Sequence, residues 1–142
     1  MLKGIPHILS PELVKILMEM GHGDELVIAD ANFPAASHAQ RLVRLDGQEA
    51  PALLASLLKL FPLDTFTEKP AALMAVIPGD IYVPTIWQAY ADIIQQHVSR
   101  FSDFEFLERS AFYERAKRAY AIVATGEMAR YANLILIKGI LP

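Results

Sequence analysis

His22 stands between two glycines, in Met20-Gly21-His22-Gly23-Asp24-Glu25, and one short apolar run, Leu26-Val27-Ile28-Ala29, separates it from Asp30. Histidine is the side chain best suited to exchange protons near neutral pH. A carboxylate at the end of a buried strand is costly unless it binds something. The two together point to proton transfer on a small polar ligand. Three further features fall at predicted strand ends, where open α/β sheets bind their ligands. Arg109 follows Phe104–Glu108, Thr125-Gly126 follows Tyr120–Ala124, and the segment after it carries Tyr131 and Asn133. A carboxylate, a guanidinium, a phenol and an amide supply many directional hydrogen bonds, which suits a polyhydroxy ligand better than an apolar one.

Each of these residues also has an ordinary structural explanation. His22 can cap the C-terminus of a preceding helix, where a cation is favoured. Asp30 can close the Asn32-Phe33-Pro34 turn as an Asx motif. Arg109 can pair with Glu105, Glu108 or Glu114, and Tyr131 and Asn133 can be turn and packing residues. His7, His38 and His97 have no neighbours that suggest chemistry.

The elements that must position these groups alternate along the chain. Ser10-Pro11-Glu12 is a helix start, with Ser as N-cap and Pro at the first helical position. Leu13, Ile16, Leu17 and Met20 then share a helical face, and Gly21 stops the helix. Leu26–Ala29, Ala71–Ile77, Tyr120–Ala124 and Leu134–Ile137 are continuous apolar runs, as in strands buried on both faces. Arg41–Leu45 and Phe104–Glu108 alternate as weaker strands. Further helices are expected over Leu53–Phe61, stopped by Pro62, from Pro84 onward, and from a Ser110 cap to about Arg118. Strands and helices in alternation predict an α/β domain spanning residues 1–142, three layers deep, with a mostly parallel sheet.

Composition narrows the function. The net charge is −3 with no basic cluster, so nucleic-acid binding is not expected. There is no cysteine, which excludes thiol catalysis and zinc-thiolate sites. No phosphate-binding loop, nucleophile elbow or metal-binding histidine pair occurs, and Gly21-x-Gly23 precedes a strand instead of following one, so no cofactor or metal is expected. The N-terminus lacks a secretory apolar region and no run reaches membrane-spanning length, so a cytoplasmic protein with no membrane partner is expected. Of the 142 residues 54% are hydrophobic and only 20% charged. So few charges are hard to spread over a monomer, so subunit interfaces are expected.

Motifs in order along almost the whole chain identify a resemblance. They are Leu2-Lys3-Gly4-Ile5-Pro6, Ser10-Pro11-Glu12-Leu13, Met20 to Glu25, Asp30-Ala31-Asn32-Phe33-Pro34-Ala35, Arg109 to Ala116, Ala121 to Glu127 and Tyr131-Ala132-Asn133. The chain resembles the sugar mutarotases of the ribose pyranase / fucose mutarotase family. Gly23 and Asn32-Phe33 look like the fucose branch, since ribose pyranases are similar but carry Thr and Gly-Leu there. The resemblance implies a ribose-pyranase-like fold, a free monosaccharide (L-fucose) as substrate, and assembly as a ring-shaped decamer with sites near subunit contacts. It implies His22 as catalytic acid/base, with Asp30, Arg109, Tyr131, Ala132 and Asn133 binding substrate. Ala132 stands where a relative has glycine. Mutarotation also needs a second proton-transfer group, for which Tyr120, Tyr131, Asp30 or water are candidates. A sugar-binding protein without catalysis and a ribose pyranase are the alternatives.

Overall fold

Strand runs apolar at every position demand cover on both sides, and the chain provides it. The computed structural model describes residues 1–142. Helix α1 (Pro11–Glu19) starts as expected, with the Ser10 hydroxyl accepting from the Leu13 N–H at 3.2 Å. Then come β1 (Glu25–Ala29), α2 (Ala35–His38), β2 (Leu42–Leu45), α3 (Ala50–Leu57), β3 (Ala71–Met74) and α4 (Ile86–His97). The chain finishes with β4 (Glu105–Leu107), α5 (Arg109–Arg118), β5 (Ala121–Thr125) and β6 (Leu134–Ile137).

The six strands form one sheet in the order β2-β5-β1-β6-β3-β4. β2, β5 and β1 pair in parallel, as do β3 and β4, while β6 runs antiparallel to both β1 and β3. Five strands therefore point one way and β6 points back, so the sheet is mostly parallel. Alternate residues feed opposite cores. Leu26, Ile28, Ala121, Val123, Leu134 and Leu136 pack with α1, α3 and α4. Val27, Ala29, Ile122, Ala124 and Ile135 pack with Phe33, Phe112 and Ala116 on the side of α2 and α5. This is the expected three-layer arrangement.

Four local expectations are corrected. The Phe33-Pro34 bend leads into a one-turn helix, α2, too short to leave a periodic signal. β3 ends at Met74 instead of Ile77, and the next residue follows β4, with Ala75 N–H donating to the Leu107 carbonyl at 2.8 Å. α3 ends at Leu57, short of Pro62. α5 begins at Arg109, one residue before Ser110, and no side chain caps it.

Arg115 on α5 ties the layers together. Its guanidinium meets the Glu25 carboxylate of β1 at 2.5 Å and that of Glu105 in β4 at 2.7 Å. Its side chain is 16% exposed, so these charges are only partly screened by water. Removing the cation leaves the half-buried Glu25 carboxylate unpaired. Arg115→Met is expected to lower unfolding stability by about 2 kcal/mol; a urea midpoint equal to that of the unaltered protein would show that the clamp contributes nothing.

Candidate active site

Two polar clusters lie at opposite ends of the strands. The first occupies the carboxyl edge, where the parallel strands finish and β6 begins. Asp30 follows β1 directly. Its backbone N–H donates to Asn133 Oδ1 at 2.7 Å, and its own Oδ1 accepts from the Asn32 N–H at 3.0 Å. The Asx turn is thus real, and it leaves Asp30 buried at the cluster. Burial pushes its carboxyl above the usual carboxylate range, against the Asn32 and Phe33 amides and the Asn133 side chain; the nearby Glu127 adds to the rise.

The loop entering β6 is held from several sides. Tyr131 has φ 58°, a left-handed conformation that a bulky residue adopts only when its surroundings impose it. Its hydroxyl donates to Asp80 Oδ2 at 2.5 Å. Its carbonyl accepts from Trp87 Nε1–H at 2.8 Å, and the Ala132 carbonyl accepts from the buried Tyr90 hydroxyl at 2.7 Å. Upstream, Gly126 N–H donates to the Gln48 carbonyl at 2.8 Å, and a Cβ at Gly126 would collide with the Asp46 carbonyl. Glu127 accepts from the first amide of α3, Ala50 N–H, at 3.2 Å.

Arg109 is exposed and makes no ion pair. Of the acids proposed as its partners, Glu105 is engaged by Arg115 and Glu114 by Lys117, while Glu108 lines the same cleft without pairing to it. Its guanidinium lies 5.3 Å from the Tyr113 ring centroid, and Tyr113 in turn packs on Phe33 of the Asp30 turn. With Ala75–Pro78, Glu108 and Ser110 it lines a cleft of about 640 Å³. Ile77 of that cleft donates its N–H to the Tyr131 hydroxyl at 3.4 Å. Asp30, Arg109, Tyr131, Ala132 and Asn133 therefore gather at one edge of the sheet.

His22 does not join them. It precedes β1 and sits at the amino edge, where β6 exits: Gly23 N–H donates to the Lys138 carbonyl at 2.8 Å. β1 spans five residues, which at ~3.3 Å per residue separates its ends by roughly 17 Å. The sequence expectation that Asp30 works beside His22 is corrected accordingly for a single chain. Nor does His22 cap α1. Its Nε2 lies 3.0 Å from Oδ1 of Asp64, a residue the sequence reading passed over, and its ring packs on Phe66 at 5.2 Å. Asp64 is buried in an irregular segment with no periodic signal; only its place before Thr65 and Thr67 hinted at a carboxylate turn. Burial pushes its carboxyl up, but hydrogen bonds from Thr67, His22 and the Phe66 and Thr65 amides outweigh it and hold the pKa at about 2. Tyr120 lies at this same amino edge, its N–H donating to the Glu25 carbonyl at 2.9 Å and its hydroxyl 3.4 Å from Glu19 Oε2.

A carboxylate whose pKa falls from 3.8 to about 2 on folding stabilises the native state above about pH 4, and that contribution is lost as the pH drops through 2. The stability advantage of the unaltered protein over Asp64→Asn is therefore expected to shrink between pH 4 and pH 2 in urea titrations. A constant difference across that range would contradict the depressed pKa.

Known proteins resemble the chain over almost its whole length. Residues 3–141 match the RbsD / FucU transport protein family. The fucose mutarotase of Danio rerio is 51% identical, with 99% of this chain and 95% of that protein covered. The crystal structure of the fucose mutarotase from Streptococcus pneumoniae in complex with L-fucose superposes with a TM-score of 0.91 at 50% identity, covering 99% of this chain and all of the other. Bacillus subtilis RbsD complexed with D-ribose is more distant, with a TM-score of 0.70 at 29% identity, covering 94% of this chain and 95% of that one.

Proposed function

The chain belongs to the RbsD / FucU family, and on that premise we propose that it is an isomerase that interconverts the α and β anomers of free L-fucose. The observation that carries this is its full-length likeness, at 50% identity, to a mutarotase crystallised with L-fucose. The lower identity and TM-score of the ribose-bound relative weigh against ribose as the main substrate.

Mutarotation requires removal of the anomeric hydroxyl proton and protonation of the ring oxygen. The ring opens, the aldehyde turns its other face, and closure reverses both transfers. A positioned acid or base contributes on the order of 10²–10⁴-fold, and that suffices for a reaction water already supports. His22 is proposed as the principal acid/base at the ring oxygen. Asp30, Arg109 and the Tyr131–Asn133 segment are proposed to hold the sugar hydroxyls. The Tyr131 hydroxyl is committed to Asp80, which favours Tyr120, on the edge of His22, as the second proton-transfer group.

Because His22 and the cleft lie at opposite edges, a complete site needs His22 from a second copy. Both edges carry the apolar rim such a contact needs. Phe66, Ile140 and Leu141 are exposed at the His22 edge, and Ile77, Ile81 and Val83 beside the cleft, Ile81 at 95%. A further apolar hollow of about 540 Å³ along α1, lined by Met1, Leu2, Ile5, Leu9, Val14 and Met18, fits another subunit contact better than a sugar. The proposal is a cytoplasmic homo-oligomer, a decamer on family resemblance, of single-domain subunits spanning residues 1–142.

The decisive experiment irradiates one anomeric proton of equilibrated L-fucose by NMR and watches the other. Protein-dependent magnetisation transfer is expected, and its absence would leave only sugar binding. His22→Ala is expected to fall to the background rate; wild-type exchange in that variant would remove His22 from the mechanism. A mixed oligomer assembled from equal amounts of His22→Ala and Arg109→Ala chains is expected to regain activity. Random assembly gives intact sites at about a quarter of the contacts. If both variants are inactive and the mixture stays so, the two edges do not form a shared site.

A further inference from the structure

The end of β6 pins His22 and Asp64 to each other. Lys138 accepts from Gly23 N–H and donates to the Asp24 carbonyl, both at 2.8 Å, which fixes the turn carrying His22. On the other side, Asp64 N–H donates to the Ile137 carbonyl at 2.9 Å and Gly139 N–H to the Pro62 carbonyl at 2.7 Å. Gly139 makes this approach possible, since a Cβ there would lie 2.7 Å from the Leu63 carbonyl oxygen and 2.8 Å from Asp64 Cα. The two side chains are thus set by backbone that neither can move.

We infer that Asp64 is a positioning residue for His22: it keeps a proton on Nε2 in both the neutral ring and the imidazolium, so that Nδ1 is the atom that gives its proton to the ring oxygen from the imidazolium on opening and takes it back into the neutral ring on closure. The inference rests on the proposed role of His22. Asp64 Oδ2 accepts from the Thr67 amide at 3.1 Å and its hydroxyl at 2.5 Å, and Oδ1 from the Phe66 amide at 3.2 Å. Every one of these donors favours the ionised carboxylate, and an ionised carboxylate can only accept. The nitrogen facing it must therefore be the protonated one in the neutral ring. The His22 side chain is 45% exposed against 4% for Asp64, so the ring reaches outward with Nδ1 available while its other nitrogen is engaged. Fixing the ring also removes the entropy of finding a productive orientation.

Asp64→Asn separates this role from a merely structural one. Its amide oxygen can still accept from Thr67, which turns the NH₂ group toward His22 and favours the opposite tautomer. In protein with ¹⁵N-labelled histidine, His22 is expected to carry its proton on Nε2 near neutral pH, and on Nδ1 in Asp64→Asn. The kcat for fucose exchange is expected to fall on the order of 10²-fold in the variant, with KM within about twofold and no further loss when Asp64→Asn is added to His22→Ala. An Nδ1–H tautomer in the unaltered protein overturns the inference without any variant. So does an unchanged kcat in Asp64→Asn, or an equal loss in the His22→Ala background. Wild-type exchange by His22→Ala would instead overturn the reading of His22, and this inference with it, whatever the tautomer.

Discussion

Every interior position of the central strands is apolar, and both faces of the sheet are covered by helices. That constraint decides where anything else can be. A polar group in the middle of such a strand would have no water and no partner, at a cost of several kcal/mol for a charge. Of the five buried polar or charged residues, Asp30, Thr125, Glu127 and Asn133 accordingly lie at strand ends or within two residues of them, and Asp64, in the irregular segment before β3, is fastened by its backbone to Ile137 at the end of β6. Thr125, the last residue of β5, satisfies its hydroxyl on the Ala29 carbonyl at 2.7 Å. Buried polar groups are thereby confined to the two rims of the sheet.

β6 then determines what each rim holds. Its reversed direction brings the Tyr131–Asn133 loop to the rim where β1 releases Asp30. The same strand leaves at the opposite rim, where its last residues fasten the His22 turn and the Asp64 segment. Had β6 run parallel to its neighbours, these two sets would have exchanged ends. Asn133 would then be unable to reach the Asp30 amide.

The layers and strands were largely legible in the sequence because double-sided burial writes itself as continuous apolar runs, and Ser10-Pro11 announces a helix by its own side chains. Less legible was the direction of β6, since Leu134–Ile137 reads the same from either end. The gathering of Asp30, Arg109 and Tyr131–Asn133 at one edge followed from their places after strands or before β6. The placement of His22 did not. Nearness along the chain suggested nearness to Asp30, but an extended strand is the conformation that separates its two ends the most. Asp64 was invisible for a different reason. It reaches His22 through the approach of two backbones at Gly139, a contact between distant segments that no local pattern records.

The separation of the two rims also bears on the symmetry of any assembly built on a shared site. A pair related by a twofold axis presents the same patch from both partners, and a rim carrying only the cleft would meet another cleft. Joining a His22 rim to a cleft rim is a head-to-tail contact, which leaves one unsatisfied rim at each end of every finite open chain of subunits. Only a closed cycle fills them all, and a rotation that fails to close propagates as a filament. A strand five residues long, by holding the proposed acid/base and the cleft apart, would thus favour rotational closure over simple pairing in such an assembly, and would tie the number of shared sites to the number of subunits in the cycle.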